Sequence, residues 1–174
     1  MTEQIFYDYL RRSRQDLFAF LRSLPDEAIS KDVIPGERLH SIKDLVIHIA
    51  IIEDSWLHED ILKDQPVWEM TSGFPEDFEK AYHANDSLEW MLEYWLTVQK
   101  STLAYLAKLE PEMLKAEISM PRETGQEFFS VAQVLWHVMQ HEVRHTAQIV
   151  LLARQLGFVP PQLDLIRYVG RLEP

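Results

Sequence analysis

The stretch Phe129-Ser130-Val131-Ala132-Gln133-Val134-Leu135-Trp136-His137-Val138-Met139-Gln140-His141-Glu142-Val143-Arg144-His145-Thr146-Ala147-Gln148-Ile149 decides the reading of this chain. It carries three of the seven histidines, His137, His141 and His145, at intervals of four. On an α-helix that interval returns to one face, with an axial step of about 6 Å. Imidazoles at i and i+4 can both reach a single metal ion. The segment is also marked as a helix. Ser130 and Gln133 have the spacing of a capping box, and Phe129 and Val134 that of a hydrophobic staple. Apolar residues at Val134, Leu135, Val138, Ile149, Leu152 and Leu156 recur at threes and fours, so the histidines lie near the buried face. Gly157 is a natural terminator, with Pro160-Pro161 behind it.

The 174 residues fit one domain, 1–174, with a sizeable core. At 47% apolar and 26% charged, the composition is that of a globular chain and argues against disorder. A net charge of −11 disfavours a nucleic-acid surface or an anionic membrane face. With no cysteine, the chain has no disulfide, thiolate ligand or cysteine nucleophile, so thiol chemistry needs a thiol brought by a small molecule. The first residues lack a signal-peptide pattern and no apolar run reaches membrane length, which leads us to expect a cytoplasmic protein.

Outward from the last long helix, most of the chain has helical period. A first helix is expected over residues 2–23. Its stripe is Ile5, Tyr9, Leu10, Leu17, Phe20, Leu21 and Leu24, with Arg11, Arg12, Arg14 and Arg22 on other faces, and Pro25 ends it. A loop over 26–40 contains the turn signal Pro35-Gly36. Ser41 and Asp44 have cap spacing for a second helix running to about residue 62. Residues 64–85 read as a long crossover connection, with a short helix near 76–81. A third helix is expected to open at Asp86, with the stripe Leu88, Met91, Leu92, Trp95, Val98, Thr102, Leu106 and Leu109, and to close at Pro111. Alternation over 116–128, with a Thr-Gly turn, predicts a short extended loop or hairpin before the last long helix. Four amphipathic helices bury best as an all-α four-helix bundle, a fold that builds metal sites from inward side chains on facing helices.

His48 is the partner sought on another helix. It shares a face with Leu45, Ile49 and Ile52, where an imidazole is costly unless its nitrogens are paired. Alone it reads as a core histidine satisfied by a hydrogen bond. With a histidine stripe on a facing helix it reads as a ligand. Three neutral imidazoles from two helices leave an open coordination position, the arrangement of a catalytic site. Spacing does not choose between His137/His141 and His141/His145. The spacing argues against all three on one ion, because the ends are about 12 Å apart along the axis. The spare histidine is then an outer partner or proton acceptor, and Gln148, three beyond His145, is placed to orient it. The bland counterpart is a polar stripe without metal.

His141-Glu142-Val143-Arg144-His145 matches the zincin pattern H-E-x-x-H, in which the Glu is the general base. Beyond His145 the chain offers no further histidine, and Asp164 and Glu173 are its sole acids. The plainer reading of Glu142 is a helix-surface or interface carboxylate paired with a neighbouring Arg. The tryptophans read as packing. No Gly-rich phosphate loop or serine nucleophile elbow appears.

One histidine in the second helix, followed by Leu135-Trp136-His137 through Gln148-Ile149, resembles the DinB-like (DinB/YfiT-like) family of damage-inducible four-helix-bundle metal proteins, related to bacillithiol and mycothiol S-transferases. The resemblance covers nearly the whole chain. The family phrase is leucine-x-His-x-x-x-His-x-x-x-His-Arg-Gly-Gln-Ile, and here Thr146-Ala147 stand in place of Arg-Gly. The resemblance implies that His48, His141 and His145 are the ligands, with His137 nearby. It implies a divalent ion, zinc or nickel, and a homodimer. The expected function is a metal-dependent thiol S-transferase or related hydrolase, acting on a small-molecule thiol and an electrophile. A non-catalytic metal-binding stress or damage-response module is the alternative, and an HExxH-type zinc hydrolase a lesser one.

Overall fold

The computed structural model describes residues 1–33, 39–75, 78–82, 86–122 and 125–170. Four long helices carry it: α1 (Glu3–Arg22), α3 (Ile42–Ser55), α5 (Leu88–Leu106) and α6 (Val131–Gln155). Short α2 (Asp26–Ile29) and α4 (Val67–Met70) lie in the connections. A hairpin of β1 (Glu117–Arg122) and β2 (Gly125–Ser130) precedes α6, in the register Glu117 opposite Ser130 to Arg122 opposite Gly125. Helix α3 packs on α5 and α6, and α1 packs on the same two. Among the described residues no helix is long and apolar enough to cross a membrane.

Local chemistry sets the helix ends. Both capping boxes form: Ser41 accepts from the Asp44 N–H while Asp44 returns to Ser41, and Ser130 and Gln133 do the same on α6. Each satisfies two backbone donors that the first helical turn leaves free. Helix α6 ends in a Schellman arrangement. Gly157, at φ +90°, donates to the Arg154 carbonyl at 3.0 Å and Phe158 donates to Ala153 at 3.0 Å. Asp54, fully buried at the end of α3, accepts from the Val67 and Trp68 N–H groups at 3.0 and 2.9 Å and from the Tyr94 hydroxyl at 2.7 Å. It thereby pins α4 onto α3 and α5.

Several expectations are corrected. The loop expected over 26–40 begins with α2, for which Pro25 is the N-cap, since proline's fixed φ suits a helix start. The Pro35-Gly36 turn, Thr124 of the hairpin turn and residues 171–174 lie outside the described residues. Ser87, not Asp86, caps α5, accepting from the Trp90 N–H. Helix α5 stops at Leu106, well before Pro111. The second helix does reach Leu62, but as a π-helical turn from Trp56 onward, closed by Lys63 at φ 56°. The short helix of the long connection is a 3-10 turn over Phe78–Ala81. Ile5, read as a core residue, is 52% exposed.

Arg14 is the largest correction. Placed by sequence on an outer face, it is 1% exposed. It sits in a polar layer that divides the core into two apolar clusters, one around Leu17, Leu21, Ile49, Trp95 and Ile149, the other around Tyr7, Leu10, Leu106, Val134 and Leu135. All four long helices send a side chain into this layer. The Arg14 guanidinium donates to Glu142 of α6 at 3.0 and 2.6 Å, to Glu53 of α3 at 3.1 Å and to Gln99 of α5 at 3.0 Å. It also lies 4.5 Å over the Trp95 ring.

Candidate metal centre

Helix α3 presents His48, and α6 presents His141 and His145, one turn apart. Their rings converge. The centroids of His48 and His141 are 4.8 Å apart, those of His48 and His145 4.8 Å, and those of His141 and His145 4.2 Å. His48 Nε2 and His141 Nε2 approach to 3.0 Å. One nitrogen from each of the three lies within 4.8 Å of the other two. A tetrahedral zinc site with bonds of about 2.0–2.1 Å would set such nitrogens about 3.3 Å apart. The cluster therefore needs little closure to hold an ion.

The far sides of two rings are held. His48 Nδ1 is 2.9 Å from the Tyr82 hydroxyl. His145 Nδ1 is 2.5 Å from Gln148 Oε1, an acceptor, so Nδ1 carries the proton and Nε2 keeps its lone pair. Outer partners of this kind fix tautomer and ring orientation for a metal. Arg144 Nη2 lies 3.5 Å from His145 Nε2, at the limit of a hydrogen bond.

Electrostatics favours the ligand form. Burial, then the neighbouring His145 and His48, pull the His141 pKa down to about 2. Burial also lowers that of His145, against the opposing hydrogen bond to Gln148. A neutral imidazole is the state that donates a lone pair to a metal. The donor set, its convergence and its preferred protonation state all suit a metal ion.

His137 does not join the cluster. It is exposed, its ring is tilted over Trp56 at 4.7 Å, and its centroid is 6.2 Å from that of His141. Of the two i, i+4 pairs, it is His141 and His145 whose rings face His48. Glu142 is buried against Arg14, which engages both its oxygens. A zincin general base needs that carboxylate turned toward the metal. Here it is the interface carboxylate paired with an Arg that the plainer reading described.

Sequence reading missed Tyr82, Arg14 and Glu53. Tyr82 sits in the irregular connection, where no periodicity points to it. The other two carried a usable signal. Arg14 falls between Leu10 and Leu17 on the apolar stripe of α1, and Glu53 follows Ile49 by four on that of α3. A charge on such a stripe calls for a partner inside.

Known proteins share this arrangement of helices. A family model described as the DinB family matches residues 1–171. The uncharacterized protein YizA of Bacillus subtilis (strain 168) is 22% identical over 161 residues, covering 92% of each chain. A solved conserved protein from Enterococcus faecalis superposes with a TM-score of 0.70 at 17% identity, over 87% of this chain and 94% of that one. The DinB-like protein YjoA of Bacillus subtilis superposes with a TM-score of 0.60 at 18% identity, over 92% and 98%. A DinB-like protein from Bacillus cereus ATCC 10987 gives 0.59 at 18% identity, over 88% and 94%.

Proposed function

The chain belongs to the DinB family, and from that premise we propose that it is a divalent-metal protein that transfers a small-molecule thiol to an electrophile, or carries out a related hydrolysis. The observation that carries this reading is the convergence of His48, His141 and His145 from two helices, with Tyr82 and Gln148 on the far nitrogens of His48 and His145. His48 Nε2, His141 Nε2 and His145 Nε2 would hold zinc or nickel. A divalent ion held by three protein ligands supplies a Lewis-acid position that lowers the pKa of an incoming thiol.

The chain's own residues do the rest. Tyr82 and Gln148 orient the imidazoles. The burial of His141 and His145 keeps them unprotonated. Because the chain has no cysteine, the thiol must be a supplied one. A homodimer is part of the proposal, as is the assignment of the three ligands.

The test is elemental analysis of protein purified without a histidine tag, together with turnover of a chlorinated aromatic by bacillithiol-type or glutathione thiols, with and without metal. One ion per chain, lost in His48→Ala, and metal-dependent turnover are expected. Turnover that ignores metal would end the transferase reading, and the absence of bound metal would end the whole proposal.

A further inference from the structure

A cleft of about 580 Å³ opens between α1, α6 and residues 161–165, and none of the three clustered histidines lines it. Its walls are apolar, with Phe6, Leu10, Val150 and Leu163, and the buried residues Glu142 and Ser13 also border it. Arg154 and Asp164 also line it. The outer wall is fixed in place. Tyr9 donates to the Leu163 carbonyl at 2.8 Å, and Tyr168 donates to Asp16 at 2.6 Å.

The charge beneath this cleft does not balance. Glu53 and Glu142 share the single guanidinium of Arg14, which leaves one formal negative charge over. Glu53 has further donors in Tyr7, Trp95 and Thr102. Among the described residues Glu142 takes only the two from Arg14, one per oxygen, and each oxygen keeps capacity for another. It is also the member of the pair that borders the cleft. The field there is felt by Tyr9, whose phenol is pushed up by burial and then by the charges of Glu142 and Asp164.

We propose that this cleft binds a small molecule with a protonated amine on an apolar body, the ammonium resting between Glu142, the Ser13 hydroxyl oxygen and Asp164. An ammonium offers three donors and the missing positive charge. A carboxylate or phosphate would meet Glu142 as a like charge. A purely apolar ligand would seal the surplus negative charge further from solvent without a counter-charge, which is costly. None of the three clustered histidines lines the site, and it carries no metal chemistry.

The experiment is a chemical-shift titration of the full chain with 4-phenylbutylamine, 4-phenylbutanol and 4-phenylbutyrate. The amine is expected to shift the amides of Val143, Thr146 and Val150 saturably. It should bind at least about tenfold more tightly than the alcohol, as charge-assisted hydrogen bonds exceed neutral ones. Thr146→Trp, which fills the cleft from its wall and leaves Arg14 and Glu142 untouched, should abolish the shifts. Asp164→Asn should weaken binding about threefold, in the range of a partly exposed charge. Alcohol binding as tight as the amine, shifts that persist in Thr146→Trp, or no saturable shift up to about 10 mM would each overturn the proposal. The titration reads no turnover and no metal, so its outcome is independent of the proposed transferase activity.

Discussion

Replacing Arg14 by leucine removes the guanidinium on which all four long helices converge. In the native protein it makes four hydrogen bonds of 2.6–3.1 Å, three of them to buried carboxylates. Without it, Glu53 and Glu142 face each other with no counter-charge, both nearly inaccessible to water. Breaking a buried ion pair by removing one partner costs about 3–5 kcal/mol, against a typical domain stability of about 5–15 kcal/mol. With a urea m value of about 2 kcal/mol/M, the unfolding midpoint should fall by about 1.5–2.5 M. The loss should also depend on pH. Burial already raises the Glu142 pKa above its ordinary 4.5, with Arg14 opposing the rise. A carboxyl with a raised folded-state pKa contributes stability that is fully present below its unfolded value and lost as pH rises through the folded one. Taking Arg14 away lifts the folded value further, so the deficit of the variant should widen between pH 5 and pH 8. Urea unfolding of both proteins at these two pH values measures it. A midpoint shift under about 0.5 M at pH 8, or one equal at both pH values, would refute the idea that this guanidinium compensates two buried charges.

Three further outcomes follow from the same contacts. Tyr82→Phe and Gln148→Leu should each weaken metal affinity by about 10–100-fold while leaving the helical circular dichroism unchanged. Competition with a chromophoric chelator reads this, and unchanged affinity would remove both residues from the site. His141 has a pKa held far below its ordinary 6.5, so its contribution to the stability of the metal-free protein is complete above about pH 6.5 and lost as pH falls below it. Unfolding midpoints between pH 8 and pH 5 should therefore fall more steeply in the native protein than in His141→Phe, and parallel profiles would contradict the assignment. Gly157→Ala forces a side chain to φ +90° at the end of α6. It should cost about 1 kcal/mol and lower Tm by about 2–4 °C in thermal melts, whereas an unchanged Tm would mean the turn relaxes.

What could be read in advance was local. The Ser41–Asp44 and Ser130–Gln133 caps are contacts three residues apart, and the stripe of α5 from Leu88 to Leu106 is buried throughout. Helical spacing also brought His141 and His145 onto one face, though it could not say which pair would meet His48. Arg14 was misplaced for the opposite reason. Charge alone assigns it to water, and the groups that reverse the assignment, Glu53 and Glu142, lie 39 and 128 residues along the chain. Tyr82 is likewise 34 residues from His48, inside a connection with no repeating pattern.

The buried charges and the histidine cluster are mechanically one device. Glu142 follows His141 directly, so the two side chains leave α6 about 100° apart. Arg14 grips Glu142 through two hydrogen bonds from α1, and this fixes the rotation of α6 about its own axis. With that rotation set, His141 and His145 face α3, where His48 stands. An apolar pair of equal volume would fill the space but would tolerate rotation of the helix, because dispersion contacts have no fixed direction. A bidentate guanidinium–carboxylate pair has a preferred plane and two fixed bonds, and so specifies one register. The Glu of the H-E-x-x-H pattern thus has both its oxygens engaged by Arg14, one residue from His141.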